Sequence, residues 1–308
     1  MIITDKNPIQ DDIRQSEPWI DCLKLYGWQI ITTKNNTKMA LLKTFMGTFI
    51  KIYKPPVLQK EDLLEIESIA KQNRGMFIRI EPNVGQDVSL LLDLNYSTSP
   101  TPFNPTKNAY FDLTKNLDEL WHSFSEGVRY SINRARREGT TIEKYVNPDE
   151  TKLKEFFDMH WATAQLKSFG AKPFSDMKYR AGLFGDQAIL FMAYDKDHKL
   201  CNGKLMLGYK GNVWYTYGGS TPVGRKNKAG YLLQWTVFEE LKKMGYKYLD
   251  LDGLYDDRFP KRLKDYGGFS HFKERFNPII VEFPVPYVKY LSPVMRAIKK
   301  LYGDRISL

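Results

Sequence analysis

Residues 214–277 read WYTYGGSTPVGRKNKAGYLLQWTVFEELKKMGYKYLDLDGLYDDRFPKRLKDYGGFSHFKERFN, and the fold turns on how this stretch is parsed. Aromatic residues lead into Tyr217-Gly218-Gly219-Ser220, which predicts a strand whose glycines let another backbone or a ligand come close. A cationic loop follows, and residues 229–244 carry the apolar spacing of a helix. Residues 248–251 make a second short strand. An irregular acidic and basic loop comes next, and His271-Phe272-Lys273 is expected in a closing strand.

The segments on either side repeat this economy of helix, strand and short loop. At the N-terminal end, Gln15-Ser16-Glu17 starts a helix that carries Trp19, Ile20, Leu23 and Tyr26 at helical spacing and stops at Gly27. Strands are expected over 28–33, 38–45 and 49–53, a helix over 60–73 and a strand over 76–80. Residues 95–108, NYSTSPTPFNPTKN, are too rich in Ser, Thr, Asn and Pro for regular structure and read as an exposed connection. A strand at 110–113 leads into a helix over 117–139 with a cationic end at Arg129, Arg134, Arg136 and Arg137. Helices are expected again at 149–165 and 176–182, and strands at 188–194 and 199–209. The alternation predicts an α/β layer architecture, with a second helix-and-strand unit following a first of similar size. In the tail, 287–302, Val294, Ile298 and Leu301 share one helical face against Arg296, Lys299 and Lys300. Such a helix either packs back on the protein or lies on a membrane surface.

Composition narrows the chemistry. The chain has 308 residues, 42% hydrophobic and 14% aromatic, enough for two packed domains. A net charge of +10 favours a polyanionic partner or an anionic surface, with a simply soluble basic protein as the plain alternative. Cys22 and Cys201 stand alone, which excludes a disulfide framework, and four scattered histidines make a metal centre unexpected. The N-terminus lacks the layout of a secretory signal, and no run approaches the roughly 20 apolar residues of a membrane span. A cytoplasmic location, extending to the inner face of the membrane, is the expectation.

Three features could carry chemistry. Residues 224–230, GRKNKAG, sit where acetyltransferases place a pyrophosphate-binding loop before a helix; the topology agrees, the glycine spacing does not. Phe272-Lys273 lies among Tyr266, Phe269 and Phe276, where a partly desolvated lysine can serve as a fixed cation for an oxyanion or can simply be a strand lysine. Tyr217 can line a ligand pocket or belong to the core, and Asp250 and Asp252 flank Leu251 as acid/base groups or as the end of a strand.

Taken in order, Trp-Tyr-x-Tyr-Gly-Gly-Ser, the helix with Tyr231 and Gln234, Leu-Asp-Leu-Asp-Gly and Phe-Lys-x-x-Phe resemble the FemABX family of peptidoglycan-bridge aminoacyltransferases. The resemblance takes in Gln15-Ser16-x-x-Trp19, residues 77–82 and 111–114, and the arginine-rich 129–139 as well. It implies two acetyltransferase-like (GNAT) subdomains with mixed sheets flanked by helices, 1–145 completed by the C-terminal 281–308, and 146–280. It further implies transfer of an amino acid from aminoacyl-tRNA to the side-chain amine of a UDP-linked or lipid-linked peptidoglycan precursor, with no cofactor beyond the aminoacyl-tRNA co-substrate. By position, Phe272 and Lys273 match the family's Phe-Lys pair, whose lysine stabilises the tetrahedral intermediate, and Tyr217 matches a substrate-pocket tyrosine. Lys172 falls where relatives place an arginine on the precursor diphosphate, keeping the charge but losing the bidentate fork. Glu81 falls where relatives have an aspartate near the acceptor, and Lys24 matches another diphosphate contact. The long helical arm of some relatives is absent, so the compact, monomeric form is expected. Acyl-CoA-dependent N-acyl transfer on the same fold stays as the alternative.

Overall fold

A computed structural model describes residues 2–4, 7–167, 170–260 and 267–302. Ser168, Phe169 and Tyr266, expected in loops, and the chain beyond 302 lie outside these residues. Two compact units emerge. One comprises Met1–Asn108, Gly253–Ser270 and Ile280–Leu308, the other Ala109–Asp252 with His271–Ile279.

Residues 280–308 join the first unit, but 109–145 belong to the second, not to the first as the 145/146 boundary had it. The reason is packing on the helix Ala229–Lys243. Leu113 donates its backbone N–H to the Lys247 carbonyl at 2.8 Å, and Lys242 Nζ returns a bond to the Leu113 carbonyl at 2.9 Å. The Phe111 ring lies 4.7 Å from Phe238. The helix expected over 117–139 is two helices, Leu117–Ser123 and Glu126–Arg137. It breaks because Phe124 leaves helical geometry at ψ 148° to enter an aromatic cluster with Trp235, Phe238 and Phe276.

The first unit holds a mixed sheet in the order Gln29–Thr32, Lys38–Thr44, Gly47–Tyr53, Gly75–Glu81, Tyr287–Tyr290, Ser97–Thr98. Gly47–Tyr53 and Gly75–Glu81 run parallel, joined by the helix Lys60–Gln72. Leu63, Ile66 and Ala70 on that helix meet Ile50, Ile52, Ile78 and Ile80 in the core, so helical spacing on one element meets strand alternation on the others. Tyr287–Tyr290 adds an antiparallel strand beside residues 77–80. The 95–108 connection is irregular as expected, yet it is not an exposed one. Tyr96, Ser99, Thr106 and Asn108 are buried, because two charged residues of the central strand supply the partners that its irregular backbone needs. Arg79 donates to Ser99 Oγ at 2.9 Å and to the Thr101 carbonyl. Glu81 accepts from the Phe103 and Asn104 amides at 2.7 and 3.1 Å.

In the second unit the sheet order is Lys107–Asp112, Tyr248–Gly253, Asn212–Ser220, Leu200–Tyr209, Ala188–Tyr194, Thr141–Val146. Every residue of Ala188–Tyr194 is buried, which explains its unbroken apolar run: both of its faces are covered. Asn212–Ser220 pairs antiparallel with Leu200–Tyr209, and with Tyr248–Gly253 it pairs parallel over residues 212–214 against 248–250. Beyond Trp214 and Asp250 that parallel pairing stops. Asp252 turns to a positive φ of 60°, with its N–H bound to Asp250 Oδ1 at 2.6 Å. An opening between parallel strands at their carboxyl ends is where open α/β sheets place their ligands.

Candidate active site

Phe272 and Lys273 stand on a helix, Gly267–Glu274, not on the closing strand expected for them. The aromatics 269, 272 and 276 carry the three- and four-residue spacing of a helical face, and Phe272 and Phe276 meet at 5.3 Å. Phe276 is fully buried, and Tyr231 on the helix Ala229–Lys243 packs on Phe272 at 5.0 Å and on Phe276 at 5.7 Å. This aromatic clamp sets the height of Lys273, which is 8% exposed.

The lysine is one of two. Lys204, in the middle of Leu200–Tyr209, is 6% exposed and donates to Gln234 Oε1. Its ammonium lies 5.3 Å from the centre of the Tyr215 ring and 5.3 Å from that of Phe272. Lys273 Nζ is 6.0 Å from the same Tyr215 ring. Burial pulls Lys204 down to about 7, and the neighbouring charge of Lys273 pulls the same way. Lys273 is drawn down to about 8 by burial, against the opposing pull of the Asp252 and then the Asp250 carboxylates. Gln234 is fully buried and its Nε2 has no hydrogen-bond partner among the described residues. Two desolvated ammonium groups, two carboxylates and an unsatisfied amide thus gather at the point where the parallel strands part. Buried ionisable groups with displaced pKa values cluster at functional sites.

The sequence reading did not single out Lys204. Its signal lies in LCNGKLMLGY, a lysine inside a strand whose other side chains, Asn202 apart, are apolar on both faces. Tyr215 was passed over in favour of Tyr217, and the glycine after Tyr217 depends on it. A Cβ on Gly218 would lie 1.6 Å from the Tyr215 hydroxyl, and one on Gly219 would lie 3.0 Å from the backbone of His160. The close approach expected at Gly218-Gly219 is therefore made by this chain's own Tyr215 side chain and by the helix Glu150–Lys167.

Tyr217 belongs to a neighbouring polar group. Its hydroxyl donates to Asp176 Oδ2 at 2.9 Å and accepts from Arg180 Nε at 3.1 Å, and burial pushes its pKa up. His160 meets the Tyr217 ring edge-on at 5.6 Å. Its Nδ1 must donate to the Gly218 carbonyl, 2.8 Å away, because a carbonyl can only accept; burial lowers its pKa. Lys172 is exposed, just ahead of the helix Phe174–Phe184. Residues 222–226 form a short helix capped by Thr221 Oγ1, which accepts from the Gly224 N–H at 3.1 Å, so the first part of the expected cationic loop is a helical turn. Arg134 pairs with Glu138, and Arg129 donates to the Phe124 carbonyl, which ties the cationic helix end down locally.

Glu81 and Lys24 lie in the first unit. Glu81 is 2% exposed and both carboxylate oxygens are engaged, by the two amides above, by Asn104 Nδ2 at 2.6 Å and by Arg79 Nη2 at 3.2 Å. Lys24 is exposed and paired with Asp21 at 2.6 Å.

Fold and site together define a chain of two acetyltransferase-like units with paired buried lysines in the second. Its likeness to a tandem GNAT protein from the clavulanic acid biosynthesis pathway is one of fold: TM-score 0.53, 10% identity, over 83% of this chain and 79% of that one. Residues 186–302 match the model of the FemAB family. The crystal structure of FemX superposes with a TM-score of 0.80 over 96% of this chain and 95% of that one, at 18% identity. A UDP-N-acetylmuramoylpentapeptide-lysine N(6)-alanyltransferase of Weissella viridescens is 24% identical over 152 residues, 49% of this chain and 44% of that relative. The chain thus matches less than half the length of that curated relative. No helix among the described residues is long and apolar enough to cross a membrane.

Proposed function

We propose that the chain transfers an amino acid from aminoacyl-tRNA to a side-chain amine of a peptidoglycan precursor peptide, with Lys273 as the cation that holds the developing oxyanion. The observation that carries this reading is Lys273 itself: an ammonium fixed by an aromatic clamp, shielded from water, at the open end of a parallel strand pair. The relative that acts on a UDP-N-acetylmuramoyl pentapeptide supports the choice of acceptor.

In the proposed reaction the neutral amine attacks the ester carbonyl and forms the new C–N bond. The carbonyl electrons move to an oxyanion beside Lys273, and the C–O bond to the tRNA ribose then breaks. The proton lost by the amine ends on the released ribose hydroxyl. An aminoacyl ester is already activated, so positioning and oxyanion stabilisation supply most of what the reaction needs. Lys172 and Lys24, both exposed cations, are the residues proposed to meet the precursor diphosphate, as charges without the arginine fork. Tyr217 is proposed to border the pocket through its ring, since its hydroxyl is engaged twice. Glu81 is proposed to shape the acceptor side by holding residues 103–104 in place.

The test is incubation of the purified chain with a mixture of charged tRNAs and either precursor form, followed by mass spectrometry of the peptide. An added aminoacyl mass that vanishes in Lys273→Ala supports the proposal. A full rate in that variant overturns the role of the lysine. Acetyl-CoA binding in calorimetry without transfer from any charged tRNA would put acyl-CoA-dependent N-acyl transfer in its place.

A further inference from the structure

The helix Pro293–Tyr302 is apolar on two sides, and only one of them is covered. Met295 and Ile298 face inward onto Met76, Phe77 and Val288. Val294 and Leu301, expected to share one face with Ile298, part from it and point outward, 59% and 78% exposed. Exposed Ala297 lies between them, so 294, 297 and 301 form a stripe at helical spacing, flanked by exposed Arg296 and Lys300.

A second apolar protrusion emerges at the same end of this unit. The hairpin joining Lys38–Thr44 to Gly47–Tyr53 carries Phe45 and Met46 at its tip, 91% and 55% exposed. Folding gains nothing from a phenylalanine so placed. The tip and the helix both border Met76. A Cβ on Gly47 would lie 2.6 Å from the Met76 side chain, and the N–H groups of Leu291 and Ser292 both donate to the Met76 carbonyl, at 2.9 and 3.0 Å.

Charge around these protrusions has one sign. Residues 43–48, 71–76 and 291–301 contain Lys43, Lys71, Arg74, Arg296, Lys299 and Lys300, and no aspartate or glutamate. Lys43, Lys71 and Arg74 are exposed. Apolar side chains projecting from a ring of cations match the interface of an anionic bilayer, where the former enter the acyl boundary and the latter meet headgroup phosphates. A polyanion such as RNA would use the cations and leave Phe45, Met46 and Leu301 in water.

We infer that this end of the first unit, the Phe45-Met46 tip with the outer face of the C-terminal helix, docks on an anionic lipid surface. The inference does not depend on the transfer reaction. Its consequence, that the acceptor is the lipid-linked precursor, does rest on the reaction proposed above.

Vesicle co-sedimentation of the full chain tests it without any turnover. Binding is expected to vesicles of phosphatidylcholine and phosphatidylglycerol in a two-to-one mixture, to weaken as salt is raised, and to be absent with phosphatidylcholine alone. Phe45→Ser with Met46→Ser, and separately Leu301→Glu, are expected to cut the bound fraction about tenfold while circular dichroism stays unchanged, since few buried contacts are touched. Arg296→Glu with Lys300→Glu is expected to do the same. The inference is overturned if the chain stays in the supernatant with anionic vesicles, or if the two apolar variants bind as tightly as the parent. It is equally overturned if the same residues prove to govern binding of tRNA and not of vesicles. Loss of vesicle binding with transfer to a soluble UDP-linked precursor intact leaves the proposed reaction standing, so the two readings fail separately.

Discussion

Each unit buries charge beside a sheet, and the two handle it differently. In the first, Arg79 and Glu81 point from one strand into the 95–108 connection, and Glu81 alone accepts four hydrogen bonds. Both side chains are at most 2% exposed, and between them they hold the Thr101 carbonyl, the Phe103 and Asn104 amides and the side chains of Ser99 and Asn104. In the second, Lys204 has Gln234 Oε1 and two aromatic faces, no carboxylate pairs with it among the described residues, and the amide of Gln234 is left with a free donor. The contrast separates a charge used as scaffold from a charge held ready for a ligand. A buried ion pair tied into the backbone stiffens the fold, whereas a buried ammonium with no carboxylate beside it lowers stability and gains that back only when something binds.

The largest expected effect lies on the ion-paired side. Arg79→Met leaves the Glu81 carboxylate buried with one donor fewer and removes the partners of Ser99 Oγ and the Thr101 carbonyl. A loss of about 3–5 kcal/mol in unfolding free energy is expected, which urea titration measures. A loss near zero would mean that the pair is not a scaffold, and the comparison would fail there.

Next comes Lys273→Ala, with the opposite balance. Transfer is expected to drop about 100- to 1000-fold, the range seen when a single oxyanion donor is removed, while the urea midpoint moves far less than for Arg79→Met. Single-turnover transfer rates read the effect on chemistry apart from binding. In the parent, Lys273 near 8 sets the alkaline limb: the cation is lost as pH rises through that value, so transfer should fall there. On the acid side it should fall too, as the attacking amine is protonated.

Gly218→Ala sits between the two kinds of effect. The new methyl must displace the Tyr215 ring, which borders both lysines. Overpacking of about 1–3 kcal/mol is expected, and the transfer rate should suffer more than the melting curve indicates. Restoring space with the additional change Tyr215→Phe tests whether the hydroxyl clash is the cause.

Most of the architecture was legible in the residues, because it rests on local periodicity. The all-apolar 188–194, the helix at 229–244 and the strand at 248–251 need only their own sequence to be recognised. What was missed depends on contacts far apart in the chain. The 95–108 connection reads as exposed until Arg79 and Glu81 are seen to satisfy its backbone. Lys273 was expected on a strand although residues 269, 272 and 276 already carried a helical spacing; Gly267 and Gly268 hid the helix start. Lys204 was invisible because a lysine within a strand reads as solvent-facing unless both faces of that strand are known to be covered. Of the candidate residues, Lys273, Phe272 and Tyr217 fall in or beside the buried group, while Lys172, Lys24 and Glu81 fall elsewhere.

The smallest effect is the most diagnostic of the two kinds of charge. Lys204→Met removes a buried ammonium that has no carboxylate partner and leaves the Gln234 carbonyl without its donor. These changes oppose each other, and a net shift of about 1 kcal/mol or less is expected at neutral pH. The pH dependence decides the matter. Lys204 is near 7 in the folded chain and near 10.5 when unfolded, so between those values the unfolded chain binds more protons and stability rises with pH. Lys273 and Lys51, both drawn down to about 8, contribute in the same direction. In Lys204→Met the rise in urea midpoint between pH 7 and about 10 should therefore shrink without vanishing. The alkaline limb of transfer should stay near 8, because Lys204 is already largely neutral where Lys273 loses its proton. An unchanged stability slope would mean that Lys204 is an ordinary hydrated lysine, and the second unit would hold its charges no differently from the first.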